Sequence, residues 1–248
     1  MSRQTGGLLL ISNSTNPGEG YLDHCADVLS GHFEGAKQIA FVPYAMADLD
    51  GYAEMARRRF EKLGLKMISV HEGDPVQAVS QSDGFFVGGG NSFRLLARVR
   101  SLGMIEAIRK RVGEGVPYAG ASAGSNLAGP SIKTTNDMPI VDSGGLDALD
   151  LFRYQINPHY VDRDPDVAHG GETRAQRIAE FHEENETPVI GLYEGSLLIH
   201  RDFETTLRGN RGAVLFLRGA QPLAMSDGAI VERIIARKPD NASSEQTL

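Results

Sequence analysis

Short apolar runs, separated by stretches of helical spacing, organise the first half of this chain. Leu8 to Ser12, Ile39 to Val42, Lys66 to Val70, Gly84 to Val87 and Val116 to Ala121 read as buried strands. Between them, Tyr21 to Phe33, Tyr52 to Leu63, Pro75 to Ser80 and the region from Phe93 to Val112 read as helices. Short buried strands alternating with helices predict an α/β fold, a mostly parallel central sheet with helices on both faces. Beyond Ser122 the pattern changes. Asp137 to Asp150 is turn-rich, Thr173 to Glu183 has helical spacing, and Val189 to Leu192 is a further strand. From Leu197 to Val231 the runs are short and alternating, with turn signals at Arg208-Gly209-Asn210, Arg218-Gly219 and Asp227-Gly228. They predict C-terminal antiparallel hairpins attached to the same sheet.

No internal repeat and no linker divides the sequence, so residues 1–237 read as one domain. The tail, 238–248, is rich in Ser, Asn and charge and reads as disordered. The formal net charge of −7 over 248 residues, with scattered Lys and Arg, leaves no footprint for nucleic acid. The apolar run from Leu8 to Ile11 is too short for a signal segment or a membrane span, so a cytoplasmic protein with no membrane partner is expected. The single Cys25 has no intrachain partner and reads as a small buried hydrophobe. No H-E-x-x-H or paired-Cys spacing is present, and no metal or cofactor is expected.

Two strands end in glycine-rich corners, Gly88-Gly89-Gly90 and Gly120-Ala121-Ser122-Ala123-Gly124. Ligands of open α/β sheets bind at the carboxyl ends of strands, and both corners are expected on one edge. The second corner reads G-x-S-x-G. That pattern suits a strained strand-to-helix turn, with small neighbours to admit close backbone and helix amides aimed at developing negative charge. Ser122 is therefore a candidate nucleophile, with a plain turn serine as the competing reading. A serine needs a base. Among seven histidines, His159 stands out, because Gln155-Ile156-Asn157-Pro158-His159-Tyr160 approaches in extended form and ends in a proline-fixed corner. A histidine base needs an orienting carboxylate, and Asp137 and Glu194 both qualify.

The longer motifs carry a resemblance. They are Ser12-Asn13-Ser14-Thr15, Val87-Gly88-Gly89-Gly90-Asn91-Ser92-Phe93, Gly120 to Gly124, Thr134 to Val141, Leu146 to Leu149, Ile156 to His159 and Gly171-Glu172-Thr173-Arg174. Together, over about Leu8 to Ala236, the chain resembles the peptidase E family, the α-aspartyl dipeptidases. The resemblance implies a fold like that of the class I glutamine amidotransferases, with serine in place of their nucleophilic cysteine. It implies hydrolysis of dipeptides with N-terminal aspartate, by Ser122 as nucleophile and His159 as base. Asp137 matches the aspartate usually given as the third member, and Glu194 a glutamate also placed beside the histidine, so both stand as candidates. On that basis Gly89, Gly90 and Ala123 are expected to form the oxyanion hole. Arg174 is expected to take the substrate carboxylate, with Asn91, Thr134 and Thr135 as neutral donors. The expected partner is a small peptide substrate, the protein itself being a monomer or homodimer. Two departures bear on substrate range. Ala121 stands where a bulky aromatic often precedes the nucleophile, and Tyr193 stands where proline is common. The acidic stretch between His159 and Gly171 is expected to form a lid of altered length. A cyanophycin-degrading relative and a non-catalytic amino-acid-binding module on the same fold are the competing functions.

Overall fold

The computed structural model describes residues 7–162 and 171–237. The expected tail at 238–248 and most of the acidic stretch before Gly171 lie outside the described residues. From the amino end the strands and helices are β1 (Leu8–Ile11), α1 (Ala26–His32), β2 (Ile39–Val42), α2 (Leu49–Lys62), β3 (Met67–Ser69), α3 (Pro75–Gln81) and β4 (Gly84–Val87). They continue with α4 (Ser92–Ser101), α5 (Met104–Gly113), β5 (Tyr118–Ala121), α6 (Ala123–Leu127), β6 (Gln155–Tyr160) and α7 (Arg174–Glu184). The remaining elements are β7 (Val189–Tyr193), β8 (Leu197–Arg201), β9 (Glu204–Arg208), β10 (Ala213–Phe216), β11 (Leu223–Met225) and α8 (Val231–Ala236).

The helices begin where the sequence supplies caps. Asp48 accepts from Gly51 N–H at the start of α2, and Asp74 accepts from Gln77 N–H at the start of α3, with Pro75 at its first position. Thr173 and Gln176 form a reciprocal capping box on α7. The region from Phe93 to Val112 is two helices rather than one, because Gly103, at φ 68°, takes the left-handed conformation and redirects the chain. Tyr21 to Phe33 begins as a 3₁₀ turn, Asp23–Cys25, before α1.

The central sheet has seven strands in the order β3-β2-β4-β5-β1-β8-β9. The first five are parallel, and the β8–β9 hairpin extends the sheet antiparallel beside β1. The parallel strands are buried on both faces, which is why they read as unbroken apolar runs. Leu9, Ile11, Phe41, Phe86 and Ala119 face one core with Leu29 of α1 and Phe60 of α2. Leu8, Leu10, Val42, Phe85 and Tyr118 face the other, with Val79, Leu96, Ile108 and Leu127 of α3 to α6. Each such fully buried side chain contributes about 1.5–3 kcal/mol relative to exposure.

One expectation needs correction. The C-terminal hairpins do not all join the central sheet. β10 and β11 pair with β7 and β6 in a separate four-stranded sheet, order β11-β10-β7-β6. Both faces of this second sheet are used. Ile156, Ile190, Leu192 and Leu215 close the larger core, while Val189, Val214 and Phe216 pack with Ile178 of α7. Alternation alone cannot say which strand a hairpin pairs with, and here β7 offered β10 an apolar edge.

The glycines of the G-x-S-x-G corner are fixed by backbone contact. A Cβ on Gly124 would stand 2.1 Å from the Val87 carbonyl oxygen. Gly124→Ala is therefore expected to destabilise by about 3 kcal/mol or more. Gly31→Ala, in open space on α1, should stabilise by ~0.5–1 kcal/mol, and thermal melting of the two variants measures the contrast.

His32 supplies a pH dependence. Its Nε2–H donates to the Tyr118 carbonyl at 3.0 Å, and its buried Nδ1 has no partner among the described residues. Burial, reinforced by Arg201, lowers its pKa to about 4, against a smaller opposing effect of the Tyr118 bond. The unfolded chain takes up this proton near pH ~6.5, before the folded one does, so the stabilisation is complete above that pH and is lost as pH falls toward 4. The upper bound on the loss is ~3 kcal/mol. His24 and His200 are shifted in the same direction by burial, so they share the slope. Urea unfolding at about pH 7.5 and about pH 5 should show His32→Gln losing less stability on acidification than the wild type.

Candidate active site

β4 and β5 run side by side, with Val87 opposite Gly120, so both glycine corners emerge at the same carboxyl edge. Between β5 and α6, Ser122 adopts φ 52° and ψ −111°, a conformation that side chains rarely take. The surroundings hold it there. Its N–H donates to the Ile11 carbonyl at 2.9 Å, and its carbonyl accepts from Asn126 N–H at 3.0 Å. The buried Tyr118 hydroxyl donates to the Gly124 carbonyl at 2.7 Å. The reversal presents Oγ away from the sheet and toward β6.

β6 brings His159 to that hydroxyl. Pairing with β7 slips between Pro158 and Tyr160, and His159 itself has φ 54°. A bulge of this kind re-aims one side chain out of the strand's alternation. His159 Nε2 lies 2.8 Å from Ser122 Oγ, and Nδ1 lies 2.7 Å from Glu194 Oε1. A carboxylate only accepts, so Nδ1 carries the proton and Nε2 is the acceptor for the serine O–H. Glu194 stands just after β7, in the turn that leads into β8. The His159 and Glu194 side chains are 38% and 41% exposed, so solvent screens their attraction and geometry is the larger consequence of the pair.

Asp137 is not part of this series. Its Oδ2 accepts from the Ser92 N–H at 2.7 Å and from the Thr135 hydroxyl at 3.1 Å. It therefore caps the first turn of α4, favourably placed against the helix dipole. The expected neutral donors are occupied too. Asn91 accepts from Arg94 N–H and donates to the Met138 carbonyl at 2.8 Å. Thr134 is buried, with its hydroxyl on the Ile156 carbonyl at 2.8 Å, and Thr135 stands 3.0 Å from Ser92 Oγ. These groups brace the loop from 134 to 138 against α4 and β6.

Arg174 opens α7 and is half-buried, with Nη1 3.4 Å from the Pro158 carbonyl. Burial and then Arg177 lower its pKa from the ordinary guanidinium value, while the negative charges of Glu194 and Asp137 act the other way. Among the described residues it makes no ion pair within 4.0 Å. Of the corner amides, Gly90 and Ala123 have no backbone acceptor among the described residues. Gly89 borders the nucleophile, since a Cβ there would lie 3.1 Å from Ser122 Cβ, and its N–H likewise has no backbone acceptor among the described residues. Burial pushes the Tyr52 phenol up, partly offset by its bond with Tyr21. Sequence reasoning assigned no role to Ser12 and Asn13, whose side chains reach the His159 and Glu194 strand ends. The available signal was a polar pair placed directly after a wholly apolar strand.

No group of three or more His, Cys, Asp or Glu among the described residues is arranged to hold a metal ion. No helix among them is long and apolar enough to cross a membrane. A recess of about 540 Å³ lined by Leu8, Arg109, Asp150, Arg153 and His200 opens at the amino end of β1, opposite to the Ser122 edge.

Comparison with known proteins identifies the family. The model of peptidase family S51 matches residues 8–208. Peptidase E of Streptomyces coelicolor is 48% identical over 229 residues, 92% of this chain and 94% of the relative. Peptidase E of Shewanella amazonensis is 41% identical over 231 residues, 92% and 98% of the two chains. The crystal structure of a peptidase from an acI-B1 actinobacterium superposes with a TM-score of 0.68, covering 93% of this chain and 98% of that one. At 15% identity that likeness speaks for the fold. With a matching family model over most of its length and full-length relatives at this identity, the chain belongs to peptidase family S51.

Proposed function

We propose that this protein is a serine-type dipeptidase that hydrolyses peptides with N-terminal aspartate, with Ser122 as nucleophile, His159 as base and Glu194 as the group that orients it. The observation that carries the reading is the continuous hydrogen-bond series from Ser122 Oγ through the His159 ring to Glu194. As Oγ attacks the aspartyl carbonyl, its proton passes to Nε2 and the imidazolium is stabilised by Glu194. The proton then goes to the leaving amine as the C–N bond breaks. Water, deprotonated by the same nitrogen, releases aspartate from the acyl-enzyme.

The tetrahedral oxygen carries a full charge that the ground-state carbonyl lacks, so donors aimed at it act selectively on the transition state. Ala123 N–H follows the nucleophile directly, and neither it nor the Gly90 N–H has a backbone acceptor among the described residues, which supports them in that role. Gly89 supports it by proximity, a Cβ there lying 3.1 Å from Ser122 Cβ, and its N–H too has no backbone acceptor among the described residues. Arg174 provides the cation for the substrate side chain. Its burial, its lack of an ion-pair partner among the described residues and its place beside Pro158 favour a guanidinium kept for an incoming carboxylate.

Ser122→Ala should lower kcat on an Asp-Xaa dipeptide by ~10⁴-fold or more, and undiminished turnover would refute the reading. Glu194→Gln should cost at least ~10²-fold in kcat, whereas Asp137→Asn should stay within about tenfold. Steady-state rates that reverse this order would return the orienting role to Asp137. Arg174→Met should remove roughly 10- to 100-fold of the kcat/KM preference for Asp-Xaa over Asn-Xaa, the worth of a charge-assisted hydrogen bond at about 1.5–3 kcal/mol. An unchanged ratio would show that the carboxylate binds elsewhere.

A further inference from the structure

The end of β1 and the two residues after it bond to Ser122, to His159 and to Gly195, the neighbour of Glu194. Ile11 offers its carbonyl to the N–H of Ser122 at 2.9 Å. Ser12, fully buried, uses both faculties of its hydroxyl. It donates to the Leu192 carbonyl of β7 at 2.7 Å and accepts from the backbone N–H of His159 at 2.9 Å. Asn13, also buried, accepts the Gly195 N–H at 2.7 Å, at the turn that carries Glu194, while its amide nitrogen is tied to Thr15 and Asn16. The nucleophile follows a strand of the central sheet, the base lies on the second sheet, and Glu194 sits in the turn that leads from β7 of the second sheet into β8 of the central one. Among the described residues no strand ladder joins the two sheets at this edge.

We infer that Ser12 is a positioning residue that sets the catalytic register, its hydroxyl pinning the left-handed backbone of His159 and the end of β7 to the strand that also fixes Ser122. His159 has φ 54°, a conformation that costs energy in isolation and persists where its surroundings over-determine it. At the bulge its N–H leaves the β6–β7 ladder, so Ser12 Oγ is the acceptor that replaces the ladder bond. Removing that oxygen takes from the His159 N–H its acceptor and from the Leu192 carbonyl its side-chain donor, and the ring is free to turn with its backbone. Asn13 acts on the carboxylate side of the same series. The inference rests on the reading of Ser122, His159 and Glu194 as the working set.

The test uses the full chain and two readouts. Ser12→Ala should lower kcat by ~10- to 100-fold with KM within about twofold, since sub-ångström misplacement of a base affects chemistry more than binding. Without substrate, proton NMR should show the His159 Nδ1 proton far downfield in the wild type, and shifted or lost to exchange in Ser12→Ala although Glu194 is intact. Should Ser12→Ala fail to fold, Ser12→Cys keeps the volume with a weaker donor and acceptor, and should show an intermediate loss in both readouts. Wild-type kcat and an unchanged resonance in the folded variant, or a lowered melting temperature alone, would overturn the inference. Failure of the wild type to cleave Asp-Xaa would sink the proposed substrate, while the resonance comparison would still decide the role of Ser12.

Discussion

Where β5 turns into α6, three backbone segments run closer together than side chains permit. A Cβ on Gly120 would meet the Gly124 carbonyl carbon at 2.4 Å, and one on Gly124 would meet Val87 oxygen at 2.1 Å. That contact lets the helix start directly behind the strand, and the intervening Ser122 is left in a conformation disfavoured for any residue with a side chain. The strain is offset by buried polar bonds. Ser125 Oγ reaches both the Ile11 and Gly120 carbonyls at 2.7 Å, and Tyr118 reaches Gly124. A tight corner thus converts a buried strand end into a half-buried hydroxyl, followed by the Ala123 amide, which has no backbone acceptor among the described residues.

The neighbouring groups come from the second sheet and the turn that leaves it. β6 carries His159 and Glu194 follows β7, while Ile156, Ile190 and Leu192 of these strands close the larger core beneath α6. Packing of this kind fixes the separation of the layers, since close-packed interiors deform little. It does not fix rotation about a side-chain bond. That finer adjustment falls to polar contacts at the sheet ends, from Ser12 and Asn13 on one side and from Asn126, whose amide donates to the Ile156 carbonyl at 2.8 Å, on the other.

The two acidic candidates illustrate how position decides chemistry. Asp137 and Glu194 both lie in turn-like surroundings, and both act electrostatically on Arg174. Yet Asp137 has its carboxylate taken up by Ser92 N–H and Thr135, and Glu194 has a free edge facing His159 Nδ1 at 2.7 Å. A carboxylate engaged at a helix N-terminus braces the loop beside the glycine corner, and one at a strand end can steer an imidazole.

Apolar runs and their spacing determined the parallel strands, because a strand buried on both faces must be apolar at every position, and the caps Asp48, Asp74 and Thr173 marked where helices begin. Ser122 was readable as a corner residue because the glycines around it are local to it in sequence. The proline-fixed approach to His159 was readable for the same reason. The pairing of β10 with β7 rather than with the central sheet was not readable, since an alternating strand carries no record of its partner. Nor was it readable which of Asp137 and Glu194 lies beside the His159 ring, or that Asn91 and Thr134 engage in local bonds. Those depend on which groups meet across separations such as the 147 residues between Ser12 and His159, and only the folded chain brings such distant donors and acceptors within hydrogen-bonding reach.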